Sequence, residues 1–227
     1  MRVLAIDTAL AACAVAVLDT GQGGLLAAET LPMLRGHAEA LMPLIAHVMS
    51  AANTPFAELD RIAVTVGPGS FTGLRVGVAA ARGIALAASK PAVGLSTLSA
   101  YAAPHLAGDH VTPLVAAIDA RNDQVYIQVF GAGGHTGMAP RLASLGDAVQ
   151  AAMAGPARIV GSGAQMIAAA WPSGAPAPPL IDQRPAPGID WVARLGAAAS
   201  VGGALPKPLY LRAPDARPQH AARLPRR

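Results

Sequence analysis

Two acids close apolar runs at corresponding places in the chain. Asp7, followed by Thr8, ends Val3–Asp7, and Asp119 ends Thr112–Asp119. In an ATPase built on a duplicated sheet, such acids face the phosphates and their metal from two sides. Each is equally suited to capping a turn. Between them lies Gly67-Pro-Gly-Ser-Phe-Thr-Gly-Leu-Arg75, which joins a strand to a helix with glycines where the backbone turns tightly. Ser70 or Thr72 is placed to cap that helix, which would leave its first N–H groups near any anion. Asp7, Thr8, Gly67, Gly69, Ser70, Thr72 and Asp119 therefore form the candidate nucleotide- or phosphate-proximal set. The same glycine run fits a purely structural strand-to-helix turn, and without a Gly-Lys-Ser/Thr ending it is not a Walker loop.

Other catalytic constellations are missing from the sequence. His37 and His47 are ten apart, and Leu41 stands where an i, i+4 ligand pair would need its second histidine. His105 and His110 are five apart across an expected loop, and neither pair has a third zinc ligand in view. No serine or cysteine sits in a nucleophile motif, and Cys13 in an apolar strand reads as inert core. No metal site is expected.

The elements that position these residues follow from apolar periodicity. Val3–Asp7, Ala12–Asp19 and Leu25–Leu31 read as an antiparallel meander. His37–Ala52 has helical period, with Leu41, Leu44, Ile45 and Val48 on one face and Met42 and Met49 on a neighbouring one. That helix is apolar around more of its girth than one core contact needs, and Pro43 should bend it. Arg61–Val66 reads as a strand, Leu74–Ala88 as a helix, Ala92–Leu95 as a strand and Ser96–Leu106 as a helix. In the second of these helices, Gly73, Gly77 and Ala81 repeat every four residues, as do Ala79, Gly83 and Ala87. Small residues at that spacing admit a second helix close to the backbone, and mid-helix glycines cost roughly 1 kcal/mol each against alanine. His37, Leu41, Met42, Ile45 and Met49 of the first helix, with Gly73, Gly77, Ala80, Ala81 and Ile84 of the second, are the expected partner interface.

Past residue 109 the pattern restarts. Thr112–Asp119 and Gln124–Phe130 are strands, followed by a helix near Ser144–Ala154, a strand at Arg158–Gly161 and a helix at Ala164–Trp171. A Pro/Ala-rich loop, Pro172–Pro187, then leads to a helix at Ile189–Val201. The expected division is an N-terminal subdomain over 1–109, a C-terminal subdomain over 110–206 and a basic, disordered tail over 207–227. The order βββαβα, begun twice, implies an α/β fold with two related mixed sheets.

Bulk composition limits the function classes. With 53% hydrophobic and 13% charged residues the chain is not intrinsically disordered. Apolar runs stop short of the ~20 residues of a spanning helix, the opening carries no secretory signal pattern, and a cytoplasmic, membrane-free protein is expected. The formal charge of +4 is concentrated at the end: residues 207–227 hold six Lys/Arg against Asp215, whereas residues 1–206 hold eleven basic and twelve acidic residues. The body is electrically ordinary.

Taken in order, Leu4-Ala-Ile-Asp-Thr8, Arg35-x-His37-x-Glu39 with Leu41-Met-Pro43, Gly67-Pro-Gly-Ser-Phe-Thr-Gly73, Ile118-Asp-Ala-Arg121 and Tyr210-Leu-Arg212 resemble the TsaB family. The resemblance covers residues 1–130 strongly, 131–205 weakly, and returns at 208–212. It implies an actin-like, sugar-kinase-like (ASKHA) fold and a non-catalytic scaffold role in bacterial tRNA threonylcarbamoyladenosine synthesis. The implied partners are a TsaD-like catalytic subunit, joined through helices near 37–52 and 72–88, and a TsaE-like ATPase. A second copy of the chain is a further candidate, with tRNA met only within the complex. The resemblance requires no cofactor and leaves room for weak ATP or ADP binding at the partner interface. TsaD-like enzymes carry His-x-Glu-Gly-His shortly after the strand that follows the glycine-motif helix. Here that place reads Thr97-Leu-Ser-Ala-Tyr101, and Thr and Tyr do not replace two imidazoles as metal ligands. The competing reading is an independent nucleotide-binding kinase or ATPase of the same fold, supported by Asp7, Thr8 and Asp119. A metallopeptidase lacks its ligands.

Overall fold

The computed structural model describes residues 1–21, 24–155 and 157–212. Residues 213–227 of the basic tail lie outside the described residues. The first half runs β1 (Arg2–Asp7), β2 (Ala12–Asp19), β3 (Gly24–Pro32), α1 (His37–Ala51), β4 (Arg61–Gly67), α2 (Phe71–Ala88), β5 (Ala92–Ser96) and α3 (Thr97–Gly108). The second runs β6 (Leu114–Asp119), β7 (Gln124–Phe130), β8 (Thr136–Ser144), α4 (Leu145–Met153), β9 (Arg158–Val160), α5 (Ala164–Ala169), β10 (Ile181–Asp182) and α6 (Ile189–Ala198). The sheets have orders β3-β2-β1-β4-β5 and β8-β7-β6-β9-β10, the same path traced twice. In each, the first strand lies antiparallel to the second and parallel to the fourth, which a helical crossover makes possible. This is the expected α/β architecture of the actin-like, sugar-kinase-like fold.

Alternation within the central strands sorts the layers. In β1, Leu4 and Ile6 pack toward α1 and α2, while Val3 and Ala5 pack toward α6. In β6, Val115 and Ala117 face α4 and α5, while Leu114, Ala116 and Ile118 face α3. The halves have therefore exchanged helices: α3 follows the first sheet and covers the second, and α6 follows the second sheet and covers the first. The boundary at 109/110 divides strands, not helices, so α6 departs from the C-terminal subdomain expected for it. A Cβ on Gly196 would land on that of Ala63, so α6 lies directly against β4.

Each exchanged helix is tied down by the first residue of a strand. The Arg61 guanidinium donates to the carbonyls of Gly196 (3.0 Å), Ala197 (3.3 Å) and Ala199 (2.6 Å) at the end of α6. The Arg158 guanidinium donates to His105 (2.9 Å), Asp109 (2.9 Å) and Thr112 (2.8 Å) at and beyond the end of α3. Arg61 thereby supplies a donor to the last carbonyls of α6, which have no onward helical partner, and in both cases the positive charge suits that end of the dipole.

Three expectations need correction. No element is expected between Phe130 and Ser144, where β8 forms; Gly137 and Pro140 break its alternation, and an edge position tolerates both. β10, two residues long, lies in the Pro/Ala-rich segment. Residues 207–212, assigned to the tail, are an extended segment docked on the first half: the Leu209 amide donates to the Val66 carbonyl at 2.7 Å. α1 continues through Pro43 without ending. Among the described residues one helix, α2, is long and apolar enough to cross a membrane by length and composition; it carries Arg75 and Arg82 and packs one face on β4 and β1.

Arg158→Met should lower stability by about 3 kcal/mol, because three half-buried carbonyls lose a charged donor together. Urea denaturation should show a lower midpoint with unchanged slope; an unchanged midpoint would mean that Arg158 does not hold α3.

Candidate functional site

The glycine motif is shaped by the turn after β1. The Ala9 carbonyl accepts from the Ser70 amide at 2.7 Å, and the Thr8 hydroxyl donates to the Gly73 carbonyl at 2.7 Å. A Cβ at Gly69 would fall on the Ala9 carbonyl, at Gly73 on the Thr8 carbonyl, and at Gly77 on the Thr8 hydroxyl. Backbone approach to Thr8 and Ala9 thus accounts for three of the glycines. Gly67 has φ +118°, and a Cβ there would come 2.9 Å from the Leu209 carbonyl of the docked C-terminal segment. Ser70 is the N-cap of α2, its hydroxyl accepting from the Gly73 amide at 3.3 Å. Thr72 is an exposed first-turn residue rather than the cap.

Asp7 is sealed beneath this contact, with 0% exposure. Its Oδ1 accepts from the Thr65 hydroxyl (2.5 Å) and the Ala9 amide (3.0 Å), and its Oδ2 is buried with no partner among the described residues. Burial pushes its carboxyl above the usual carboxylate range, against the opposing pull of those two hydrogen bonds and of nearby His37. Asp7 and Thr8, expected beside phosphate, are walled off from solvent, and the turn-capping reading of Asp7 prevails.

The second half presents its own turns. Asp119 is exposed, and its Oδ1 accepts from the Arg121 amide at 2.7 Å across a turn in which Arg121, Asn122 and Asp123 all have left-handed φ (63°, 52° and 53°). Opposite it, Gly161-Ser162-Gly163 joins β9 to α5. Gly161 has φ +107°, a Cβ there would strike the Ala117 carbonyl, and the Gly163 amide donates to that carbonyl at 3.1 Å. This counterpart of the first-half glycine loop was missed; a Gly-x-Gly directly after a short apolar strand was its signal.

Between the halves lies a cleft of about 600 Å³. Ser70, Phe71 and Thr72 line it from α2, Asp119, Arg121 and Ser162 from the second half, and His37 and Arg212 elsewhere on its wall. The candidate set is therefore split: Gly69, Ser70, Thr72 and Asp119 meet the cleft, while Asp7 and Thr8 do not. The residues also do not fit the metal of TsaD-like enzymes. Thr97 is fully buried, its hydroxyl without a partner among the described residues, and the Tyr101 hydroxyl donates to the Arg184 carbonyl at 2.9 Å, with burial pushing the phenol's pKa up. Among the described residues no three His, Cys, Asp or Glu side chains gather as a metal-ligating group.

The expected interface set also divides. Leu41, Ile45 and Met49 belong to the chain's own core, with Ala81 beside them; Gly73 and Gly77 face Thr8. His37 is buried with Nε2 3.1 Å from the Leu10 carbonyl. As surface for a partner these seven are corrected. Ala80 and Ile84 are half-buried, and Met42 is exposed. The second small-residue row, Ala79, Gly83 and Ala87, is the one that faces outward, beside Leu86, which is 83% exposed.

Asp7→Asn tests the buried carboxylate. Because the folded state raises its pKa, the neutral form supports folding; that support is complete below the ordinary carboxylate range and is lost as pH climbs through the folded pKa. Asparagine keeps the Oδ1 acceptor and cannot ionise. Its melting temperature should exceed that of the parent near neutral pH, by roughly 2–4 °C for each kcal/mol relieved, with the gap closing toward acid. A variant no more stable than the parent at neutral pH would refute the assignment.

Comparison with known proteins bears on the whole chain. Residues 28–179 match the family model described as TsaD, tRNA N6-adenosine threonylcarbamoyltransferase. The tRNA threonylcarbamoyladenosine biosynthesis protein TsaB of Escherichia coli K12 is 39% identical over 126 residues, covering 56% of this chain and 53% of that protein. The chain thus spans about half the length of that curated relative in the match. An uncharacterized protein of Mycobacterium tuberculosis H37Rv is 33% identical over 225 residues, 95% of this chain and 94% of its own. Among solved structures, YeaZ from Pseudomonas aeruginosa superposes with a TM-score of 0.75 at 26% identity, over 92% of this chain and 99% of that one. With its family-model match, its duplicated topology and its glycine motif in agreement, the chain belongs to the TsaD-type family, within which the TsaB proteins are among its relatives.

Proposed function

We propose that this chain is a non-catalytic scaffold subunit that pairs with a TsaD-like enzyme for threonylcarbamoyl transfer to an adenosine of tRNA. The observation that carries this reading is the burial of Asp7. An acid that served phosphate or metal would need to reach the cleft, and this one is closed off beneath Ala9 with its Oδ1 already bonded to Thr65 and Ala9. An independent kinase or ATPase of the same fold would depend on that acid, which is why the scaffold reading is preferred. In this reading the chain needs no cofactor of its own, ATP or ADP binds only where the two subunits meet, and tRNA is engaged within the cytoplasmic complex. A TsaE-like ATPase docks on the pair.

The pairing surface in this proposal is the outer side of α1 and α2. Met42 is 52% and Leu86 83% exposed there, and around Gly83 a Cβ would meet nothing within 4 Å. Large apolar side chains beside a row of small residues suit close helix–helix packing. The free subunit is proposed to cover the same face by homodimerising.

Gly83→Leu separates fold from pairing. Replacing an exposed mid-helix glycine should raise monomer stability by up to about 1 kcal/mol. The same side chain should hold a partner helix away, and overpacking of about 1–3 kcal/mol weakens association roughly tenfold or more. Gly77→Leu, by contrast, would collide with Thr8 and should unfold the subunit. Calorimetric titration with the TsaD-like protein, with circular dichroism as control, reads both effects. Unchanged affinity of folded Gly83→Leu would remove α2 from the interface, and steady ATP hydrolysis by the chain alone would overturn the scaffold reading.

A further inference from the structure

The segment 206–212 reaches from one half to the other at the cleft and holds the two unequally. α6 ends at Ala198, and residues 200–205 are all exposed, with nothing within 4 Å of a Cβ built on Gly202 or Gly203. Beyond this run the chain docks on the first half. Pro206 is buried beside Gly94 of β5, and the Leu209 amide donates to the Val66 carbonyl at 2.7 Å. The Tyr210 ring lies 5.1 Å from that of Phe71, centroid to centroid, and its hydroxyl accepts from Arg75 Nε at 3.3 Å. The hold on the second half is of another kind. Among the described residues its hydrogen bond to that half is made by Arg212, whose Nη2 donates to the side-chain carbonyl of Gln124 at the start of β7. Arg212 is half-buried in the cleft wall, and Gln124 directly follows the left-handed turn that carries Arg121 to the same cleft.

We infer that 206–212 is a latch, anchored on the first half and released at Arg212, that sets how far the cleft opens. Each half has its own sheet and the cleft is lined from both, so its width is the relative position of the halves. The exchanged helices join the halves by packing, and packed helices tolerate small sliding and rotation. A hydrogen bond across the cleft does not, because it weakens steeply once its geometry is lost. Arginine on a neutral amide is a fastening that can be undone. The charge makes it stronger than a neutral pair, yet the bidentate grip of a carboxylate is missing. The exposed run 200–205 gives the latch slack to shift without disturbing α6, whose end Arg61 holds in place. Ser70 and Thr72 on one wall and Asp119, Arg121 and Ser162 on the other would part together when it opens.

The test is a pulsed electron spin resonance distance between nitroxides at Ala57→Cys and Gln150→Cys, both exposed and one on each half. Labelled full chain is diluted with unlabelled chain, so that distances within one molecule are read. Cys13 is buried, with its thiol pushed up to about 11, and does not take label. The parent should give one narrow distance. Arg212→Met and Gln124→Leu should each add a second distance, the ratio of latched to open molecules falling about tenfold with the loss of a hydrogen bond to a charged group. The double variant should open no further than either single one, because both remove the same bond. Hydrogen exchange at the Leu209 amide should stay slow in all three, since the anchor on Val66 is untouched. Circular dichroism checks that each variant is folded, and either single variant suffices for the comparison. The inference is overturned if folded Arg212→Met or Gln124→Leu keeps the parent's single distance, or if the double variant opens further than both. Fast exchange at Leu209 in Arg212→Met would also overturn it, because the segment would then leave as a whole rather than release at one end.

Discussion

Two stretches of backbone, the turn after β1 and the start of α2, lie so close that no Cβ fits between them. The glycines at 69, 73 and 77 are the sequence expression of that distance. Much else follows from it. It seats α2 on the first sheet, buries Thr8 against the Gly73 carbonyl and closes the space in which Asp7 could have met a ligand. It also decides which way α2 is turned. With Gly77 and Ala81 facing inward, Ala79, Gly83 and Leu86 must face out. The closed-off acid and the open helix face are consequences of one packing geometry.

The second constraint acts between the halves. Because α3 and α6 each cover the sheet of the other half, neither half has a complete core without its neighbour's helix. Arg61 and Arg158 occupy the same position, the first residue of the fourth strand in sheet order, and each binds the carbonyls at the end of the borrowed helix. Each also leaves its Nε without a partner among the described residues. The duplication that shows no residue-level repeat in the sequence is thus visible in a shared solution to one problem: how to finish a helix that has crossed to a foreign sheet. The segment 207–212 adds a third crossing, from the Val66 carbonyl toward Gln124 of β7.

Elements with strong period were legible in the sequence. β1, β2, α1, β4, β6 and β7 lie where apolar spacing puts them, to within a residue or two. β8 was not, because an edge strand half-open to water needs little alternation and tolerates Gly137 and Pro140. α6 was located but its destination was not, since its apolar stripe is the same whichever sheet it covers. The site shows the same limit. α2 carries two small-residue rows with one spacing, and local pattern does not say which faces inward; only the position of Thr8, 69 residues before Gly77 in the chain, decides it. Likewise an acid at the end of a strand has the same signature whether it meets a metal or caps a turn.

That ambiguity has a physical root in the glycine loop itself. At a helix N-terminus free amides and missing side chains let an anion approach the backbone. A carbonyl oxygen is an acceptor too, and it needs the same absence of Cβ atoms. Here the Ser70 amide, which would otherwise be free at the start of α2, is taken by the Ala9 carbonyl at 2.7 Å, and the Ser70 hydroxyl is taken by the Gly73 amide. A loop built to receive phosphate and a loop built to receive its own chain therefore share a composition and differ in what occupies the donors. In this protein the occupant of the Ser70 amide is Ala9, so that part of the geometry joins the sheet to α2.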